Sequence, residues 1–264
     1  MNASFSGVPR LQDIIDDVVV QVCGFAHKRV GIPRRPWYTA PMTAPCTIVI
    51  PTFNERETLP GLCAAVREHV VGNPQLLVVD DQSPDGTADV ARALGCDVIV
   101  RTGQRGLALS VVEGIARAKG QIAVVIDADG SHPAAVIPEL VDAVQGGMDL
   151  AVGSRHVPGG RIDADWPLRR RLLSGMAQLA AKPLTQLSDP MSGFFAVRVS
   201  ALDLERLRPR GYKILLEIDA RHDLSVAEVP IEFRDRTGGD SKLNVRVQLD
   251  YLRQLGSLYR GLLL

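Results

Sequence analysis

"VVIDADGSHP", residues 124–133, takes an apolar run, Val124-Val125-Ile126, into two acids, Asp127 and Asp129, with only Ala128 between them. In an extended chain residues i and i+2 point to the same side, so the two carboxylates would converge. Like charges that close repel one another unless a cation stands between them. The stretch reads equally as a turn, because Asp and Gly are ordinary loop residues after a strand. On its own it leaves both readings open.

The residues around it favour a ligand-binding rim. From Cys46 onward short apolar runs alternate with amphipathic stretches. The runs are 47–51, 76–81, 97–100, 122–127 and 149–154, with helical spacing near 57–70, 87–94, 107–118 and 134–145. Strand alternating with helix predicts a mostly parallel sheet covered on both faces. Such sheets take their ligands at the carboxyl ends of the strands. The polar clusters fall there: "PTFNE" after the first run, "DDQSPDGT" after the second, "DADGSH" after the fourth and "GSRHVPGG" after the fifth.

Each cluster suggests its own chemistry. Asp81 leaves a strand, and an acid there can accept hydrogen bonds from a ribose or a base; Thr87 reads as the cap of the next helix. In the first cluster Thr52 and Glu55 are candidates to face a ligand. Asp127 and Asp129 suit a hard cation, Mg²⁺ or Mn²⁺, of the kind that shares its sphere with substrate phosphates. His132 is a further Mn²⁺ ligand candidate and equally an ordinary loop residue. Arg155 leaves a strand end on the same rim and is the first phosphate-binding candidate. Arg169, Arg170 and Arg171 open an amphipathic stretch, 168–183, suited to an anionic lipid or lipid phosphate. Lys213, Arg236 and Lys242 add later positive charge.

Composition removes several classes. The chain has 264 residues, is 46% hydrophobic and carries no formal net charge, so no global charge argues for nucleic acid. Only 5% of residues are aromatic, which also argues against a base-stacking platform. Cys23, Cys46, Cys63 and Cys96 lack CxxC spacing and read as reduced thiols. No apolar run reaches the roughly 20 residues of a membrane-spanning helix, and no signal peptide is apparent. GxGxxG after the first strand, GxxxxGK[ST] and GxSxG are all absent.

"VIPTFNE", "VVDDQSPDGT", "DADGSHP", "GSRHVPGG", "DPMSGFFAVR", "GYKILLEI" and "RTGGDSKL" occur in this order. Over about residues 46–255 the set resembles the polyprenyl- and dolichyl-phosphate mannose synthases, inverting family-2 glycosyltransferases with the Rossmann-like GT-A fold. The resemblance implies an α/β domain at 45–240, a GDP-mannose donor, Mg²⁺ or Mn²⁺, and a polyprenyl-phosphate acceptor at the cytoplasmic face of a membrane. By motif it assigns Pro51, Phe53 and Glu55 to the donor, and Val79 and Asp81 to its nucleoside. It gives Asp127, Ala128 and Asp129 to metal and diphosphate, with Ser131 beside the metal. Arg155, Arg170 and Ser174 would meet phosphate, the last two on the acceptor side, and Lys213 and Arg236 fall on basic donor-side positions. Asp127, Asp129 and Arg155 would carry the catalysis. Gly130, Phe53 and "GLALS" (106–110) depart from the family's usual Leu, Tyr and GLGxA, but no acid is lost.

Two alternatives remain at this point. A relative using a UDP-sugar such as UDP-glucose carries similar motifs. A non-catalytic nucleotide-binding or signalling module with an acid pair is the other, although that pair belongs after the first strand and here follows the second. Leu11, Ile14, Ile15, Val18, Val19 and Val22 predict a short amphipathic helix within residues 1–44, followed by a Pro-rich basic linker. Residues 241–264, with Leu249, Leu252, Leu255 and Leu258, read as an amphipathic helix. It lies on a membrane or packs on the sheet, and it or residues 1–44 would meet any membrane-protein partner. The chain stops on Gly261-Leu262-Leu263-Leu264, which leaves a longer parent protein open.

Overall fold

The structure is a computed structural model that describes residues 46–163, 168–209, 212–234 and 245–262, with only the backbone for 163, 168–174, 245–248 and 262. The expected helix and linker of residues 1–44, Arg236 and Lys242, and the side chains of Arg170 and Ser174 lie outside the described residues.

The five apolar runs become β1 (Cys46–Thr52), β2 (Gln75–Asp80), β3 (Asp97–Val100), β4 (Ile122–Val125) and β5 (Leu150–Ser154). Between them stand α1 (Leu59–His69), α2 (Thr87–Ala93), α3 (Leu107–Ala116) and α4 (Ile137–Gln145). Then follow β6 (Arg161–Asp163), α5 (Leu168–Ala181), β7 (Phe195–Arg198), α6 (Ile214–Arg221), β8 (Val226–Pro230), β9 (Glu232–Arg234) and α7 (Val245–Leu262). The main sheet has the order β3-β2-β1-β4-β7-β5-β8, and β6 pairs with β9 apart from it. Within the main sheet only β7 runs against its neighbours, β4 and β5.

Strand alternation divides the core into two layers. Ile48, Ile50, Val78, Val124 and Ile126 face Leu59, Leu62 and Val66 of α1 and Ile137, Leu140, Val141 and Val144 of α4. The intervening Val49, Leu77, Val79, Ala123 and Val125 face Ala108, Val111 and Ile115 of α3 and Ile214, Leu215 and Ile218 of α6. In α1 the buried positions Leu59, Leu62, Cys63 and Val66 recur at the spacing of one helix face. Both faces of the sheet are thereby covered, as the alternating pattern predicts.

The last helix divides its apolar surface. Tyr251, Leu255 and Leu258 of α7 join Ala181, Leu184, Met191 and Leu216 in a third cluster. Tyr251 and Tyr259 donate to the carbonyls of Ala177 and Ala180 on α5, at 2.6 and 2.7 Å. This face packs on helices α5 and α6, whereas Leu249 and Leu252 stay exposed.

Gly114 lets α3 approach the sheet closely. A Cβ there would stand 2.3 Å from Val49 Cγ1 and 3.1 Å from Val79 Cγ2. Both neighbours are β-branched and buried, so they have little freedom to yield. Gly114→Val should therefore destabilise the protein by about 1–3 kcal/mol, read as a lower urea midpoint. A midpoint equal to the parent's would mean that α3 is free to lift away from β1 and β2.

Candidate active site

The chain order places the ligand-facing rim. β1 leads to β2 and β3 on one side, and the chain then returns to lay β4 on the other side of β1. Such a reversal opens a crevice at the carboxyl ends of β1 and β4, where "PTFNE" and "DADGSH" emerge. Because β7 is antiparallel, its amino-terminal end reaches the same rim and delivers the segment 189–194 there.

The adjacent acids at the end of β2, Asp80 as its last residue and Asp81 just after it, bond to different neighbours, as residues on opposite sides of a strand do. Asp80 accepts from Thr52 Oγ1 (3.0 Å) and from the amide and hydroxyl of Ser83 (2.9 and 2.5 Å), closing the turn against β1. Asp81 accepts from Arg101 Nη1 at 2.6 Å and from the Gly106 amide at 2.7 Å. Arg101, itself buried, also reaches Glu113 with Nε at 3.2 Å. The double acid thus combines one turn-closing residue with one that anchors the 101–106 loop.

Two rim loops are laced together. The Glu55 amide donates to Thr87 Oγ1 (3.0 Å) and the Asn54 amide to Ser83 Oγ (2.9 Å). Thr87 is not the cap expected from sequence: Gly86 holds the cap position with φ +85°, and Thr87 donates both amide and hydroxyl to Asp85 Oδ1. Burial opposes the charge of Asp85, but the hydrogen bonds from Thr87 and the Arg56 amide outweigh it and hold the carboxyl below its ordinary range. Asn54 and Gln82 both adopt left-handed backbone, φ +58° and +64°, a costly conformation that only a fixed surrounding holds in place. The Arg105 guanidinium stacks 4.5 Å above the Phe53 ring and donates to the Gln82 carbonyl at 3.0 Å.

The strand β4 ends at Val125, so Asp127 and Asp129 stand in a turn rather than an extended chain. The turn, with Gly130 at φ +75°, and not the alternation of an extended strand, sets the direction of the two carboxylates. That left-handed position suits glycine where the family resemblance has Leu. Asp129 is buried, and its Oδ1 accepts from the amide and hydroxyl of Ser131 at 3.0 and 2.5 Å. Ser131 therefore orients Asp129 through both its amide and its hydroxyl. Asp127, about a quarter exposed, lies with Oδ2 3.5 Å from His132 Nε2. His132 is wedged between Phe194 (centroids 5.3 Å) and Phe233 (5.2 Å), and its Nδ1 has no hydrogen-bond partner. Behind Asp127 stands Gly193, where a Cβ would come within 2.8 Å of Oδ2.

Arg155 is not a loose cation at the rim. Its Nε and Nη2 each contact the fully buried Asp189 at 2.7 Å, and its amide adds a third bond at 3.0 Å. Its guanidinium also lies 5.1 Å from the centre of the Phe233 ring. Burial opposes the charge on Asp189 most strongly, yet the hydrogen bonds and positive charge of Arg155 outweigh it and hold the carboxyl below its ordinary range. Glu228 of β8 accepts the amides of Ser188 and Asp189, fixing this loop from the other side. Lys213 donates to the Met191 carbonyl at 2.9 Å and stacks on Tyr212.

The rim thus gathers Phe53, Glu55, Asp81, Asp127, Asp129, Ser131 and Arg155 from the expected set. Pro51, Val79 and Ala128 are buried; Pro51 pairs in β1 with Val79 of β2, and Val79 packs in the core beneath α3. Lys213 serves the 189–194 loop. Asp189, Arg101 and Gly193 were not anticipated, although an acid between "LS" and "PMSGFF" is the kind of isolated charge that must find a partner once buried. Among the described residues no three carboxylate, imidazole or thiol groups form a ready-made cation site.

Residues 47–204 match the family Glycosyl transferase family 2. The chain is 40% identical over 224 residues to a dolichol-phosphate mannosyltransferase of Pyrococcus furiosus, covering 81% of this chain but only 63% of that relative. It is 37% identical to the dolichol-phosphate mannosyltransferase of Saccharomyces cerevisiae (83% and 88% covered) and 37% identical to the polyprenol monophosphomannose synthase of Mycolicibacterium smegmatis (75% and 80%). Among solved structures, a glucosyl-3-phosphoglycerate synthase of Mycobacterium tuberculosis in complex with Mn²⁺, UDP-glucose and phosphoglyceric acid shares the fold. Its TM-score is 0.64 at 20% identity, with 88% of this chain and 86% of that one covered. The sheet order, the acid-lined rim and these matches agree: the chain is a glycosyltransferase of family 2 with a GT-A-like fold, related to the dolichyl- and polyprenyl-phosphate mannosyltransferases.

Proposed function

We propose that the chain transfers mannose from GDP-mannose to a polyprenyl phosphate with inversion, aided by Mg²⁺ or Mn²⁺, on a membrane surface. The observation that carries this reading is the identity of 35–40% to five relatives, all named for mannosyl or mannose transfer to a polyprenyl-type phosphate. Incubation with GDP-mannose or UDP-glucose and a short polyprenyl phosphate, followed by mass spectrometry of the lipid, tests it. A hexosyl lipid made only from UDP-glucose would overturn the donor assignment.

The carboxylates fit a hard cation. Asp127 is partly open to the rim, and Asp129 is aimed by Ser131. A pair of acids without a third suits Mg²⁺ or Mn²⁺, which complete their spheres with water and substrate phosphate oxygens. A bound cation would offset the charge that develops on the departing diphosphate. The remaining work falls to the chain itself. Asp189 fixes the direction of Arg155, leaving Nη1 to point a charged donor at a phosphate oxygen. Asp81 and the Phe53–Arg105 stack line the side of the rim assigned to the nucleoside. A phosphate monoester has its second pKa near 6, so the acceptor is mostly a dianion at pH 7 and needs no general base. Alignment behind the anomeric carbon is then the main requirement.

No described helix is long and apolar enough to cross a membrane. Met176 and Leu179 of α5 and Leu249 and Leu252 of α7 are exposed, flanking the seam formed by Ala177, Ala180 and Tyr251. Together with the arginines at 169–171 they favour an interfacial surface for an anionic lipid.

Asp129→Asn should lower kcat by about 100-fold or more and weaken Mn²⁺ binding measured calorimetrically with GDP present; unaltered Mn²⁺ affinity would remove Asp129 from the cation site. Leu252→Ser combined with Met176→Ser should reduce sedimentation with anionic vesicles while sparing turnover of a water-soluble short-chain acceptor. Asp189→Asn leaves the buried guanidinium without its counter-charge and should cost about 3 kcal/mol at pH 7. Because the folded state lowers the Asp189 pKa, its contribution is complete above the unfolded value of about 4. It is lost as pH falls through the lower folded value, so parent and variant should converge in stability below about pH 4. A stability gap that persists unchanged into acid would argue against the ion pair.

A further inference from the structure

Away from the rim, the structure brings together two thiols that the proposed reaction does not use. Cys63 lies on the buried face of α1, and Cys96 immediately precedes β3, 33 positions later. Their sulfurs are 3.7 Å apart. A disulfide needs about 2.05 Å, and the two sulfurs already stand in direct contact between α1 and the start of β3. Arg67, one turn beyond Cys63, donates to the Leu94 carbonyl at 2.6 Å, which sets its guanidinium near the same pair. The hydrogen bond from Cys63 and the charge of Arg67 lower the Cys96 thiol against the opposing effect of burial, while the same contact and burial raise the Cys63 thiol. Burial is nearly complete for Cys63, while Cys96 keeps a small exposure of 9%.

We propose that Cys63 and Cys96 form a dithiol site that reduces a small peroxide and closes to an intramolecular disulfide. The Cys96 thiolate attacks one oxygen of hydrogen peroxide; an S–O bond forms, the O–O bond breaks, and the hydroxide released takes up a proton as water. The Cys63 sulfur then attacks the sulfenic sulfur of Cys96. The S–S bond forms, the S–O bond breaks, and the hydroxyl leaves with the Cys63 proton as a second water. Two thiols are oxidised and one peroxide is reduced to two waters. A small oxidant suits a sulfur with so little exposure, and the neighbouring thiol resolves the sulfenic acid before further oxidation. A cation is the poorer occupant, since no third His, Cys, Asp or Glu joins the pair among the described residues.

The bond would close a loop containing β2, the "DDQSPDGT" cluster and α2. It would tie the helix that follows the first rim loop to the strand that leads to Arg101, the partner of Asp81. Constraining the unfolded chain in this way raises the melting temperature.

The test treats the native full chain with a slight excess of hydrogen peroxide, blocks free thiols with N-ethylmaleimide in denaturant, and maps peptides without reduction. The expected product is one cross-linked species joining the Cys63 and Cys96 peptides, two hydrogens lighter than their sum. Its melting temperature should be higher, and dithiothreitol should reverse the shift. Cys63→Ala should instead leave a sulfenic acid on Cys96 that dimedone traps. Full alkylation of both cysteines after peroxide would overturn the proposal. So would sulfinic acid on Cys96 beside a free Cys63, or a bridge from either residue to Cys23 or Cys46. The parent peptide map decides the matter whether or not the Ala variant folds.

Discussion

The architecture of the rim depends on one strand running the wrong way. In a wholly parallel sheet only the ends of strands reach the ligand crevice, and the beginnings lie on the far side. β7 is antiparallel between β4 and β5, so the segment before it enters the crevice between the two strands that lead to Asp127 and Arg155. From there Asp189 clamps Arg155, Gly193 makes room for Asp127, and Phe194 covers His132. All of these contacts depend on the segment that enters β7 from the rim side.

The Arg155–Asp189 pair also shows why a basic residue at a strand end differs from a flexible surface charge. A buried ion pair seldom adds much stability, because desolvating two charges offsets their attraction. What it provides is direction. Both ions are held by several hydrogen bonds and neither rotates freely, so a guanidinium edge is oriented before any ligand arrives. Pre-organised charge of this kind needs no rearrangement at the moment of reaction.

The strands β1, β2, β4 and β5 were legible in the sequence because strands buried on both faces read as unbroken apolar runs bounded by polar clusters, and β3, a partly exposed edge strand, was legible from its run of β-branched residues. The strands after residue 154 were harder to see. β8, "VAEVP", is half-exposed and carries Glu228, while β6 and β9 have three residues each. The rim was legible as a set of clusters, since each follows a run, but not as a set of contacts. Nothing local in "GSRHV" indicates that Arg155 meets an acid 34 positions later. Nor does local sequence say that Thr87 serves the first loop through Glu55, or that Val79 turns into the core beneath α3. Those outcomes depend on tertiary neighbours, which periodicity does not encode.

Phe233 has one further consequence. Its ring lies beneath the Arg155 guanidinium and beside the imidazole that neighbours Asp127, while the Arg234 amide donates to the Ser131 carbonyl at 3.1 Å. The small two-stranded sheet is therefore a common wall for a positive and a negative part of the rim. Replacing Phe233 would remove a neighbour from both parts at once, from the guanidinium and from the imidazole.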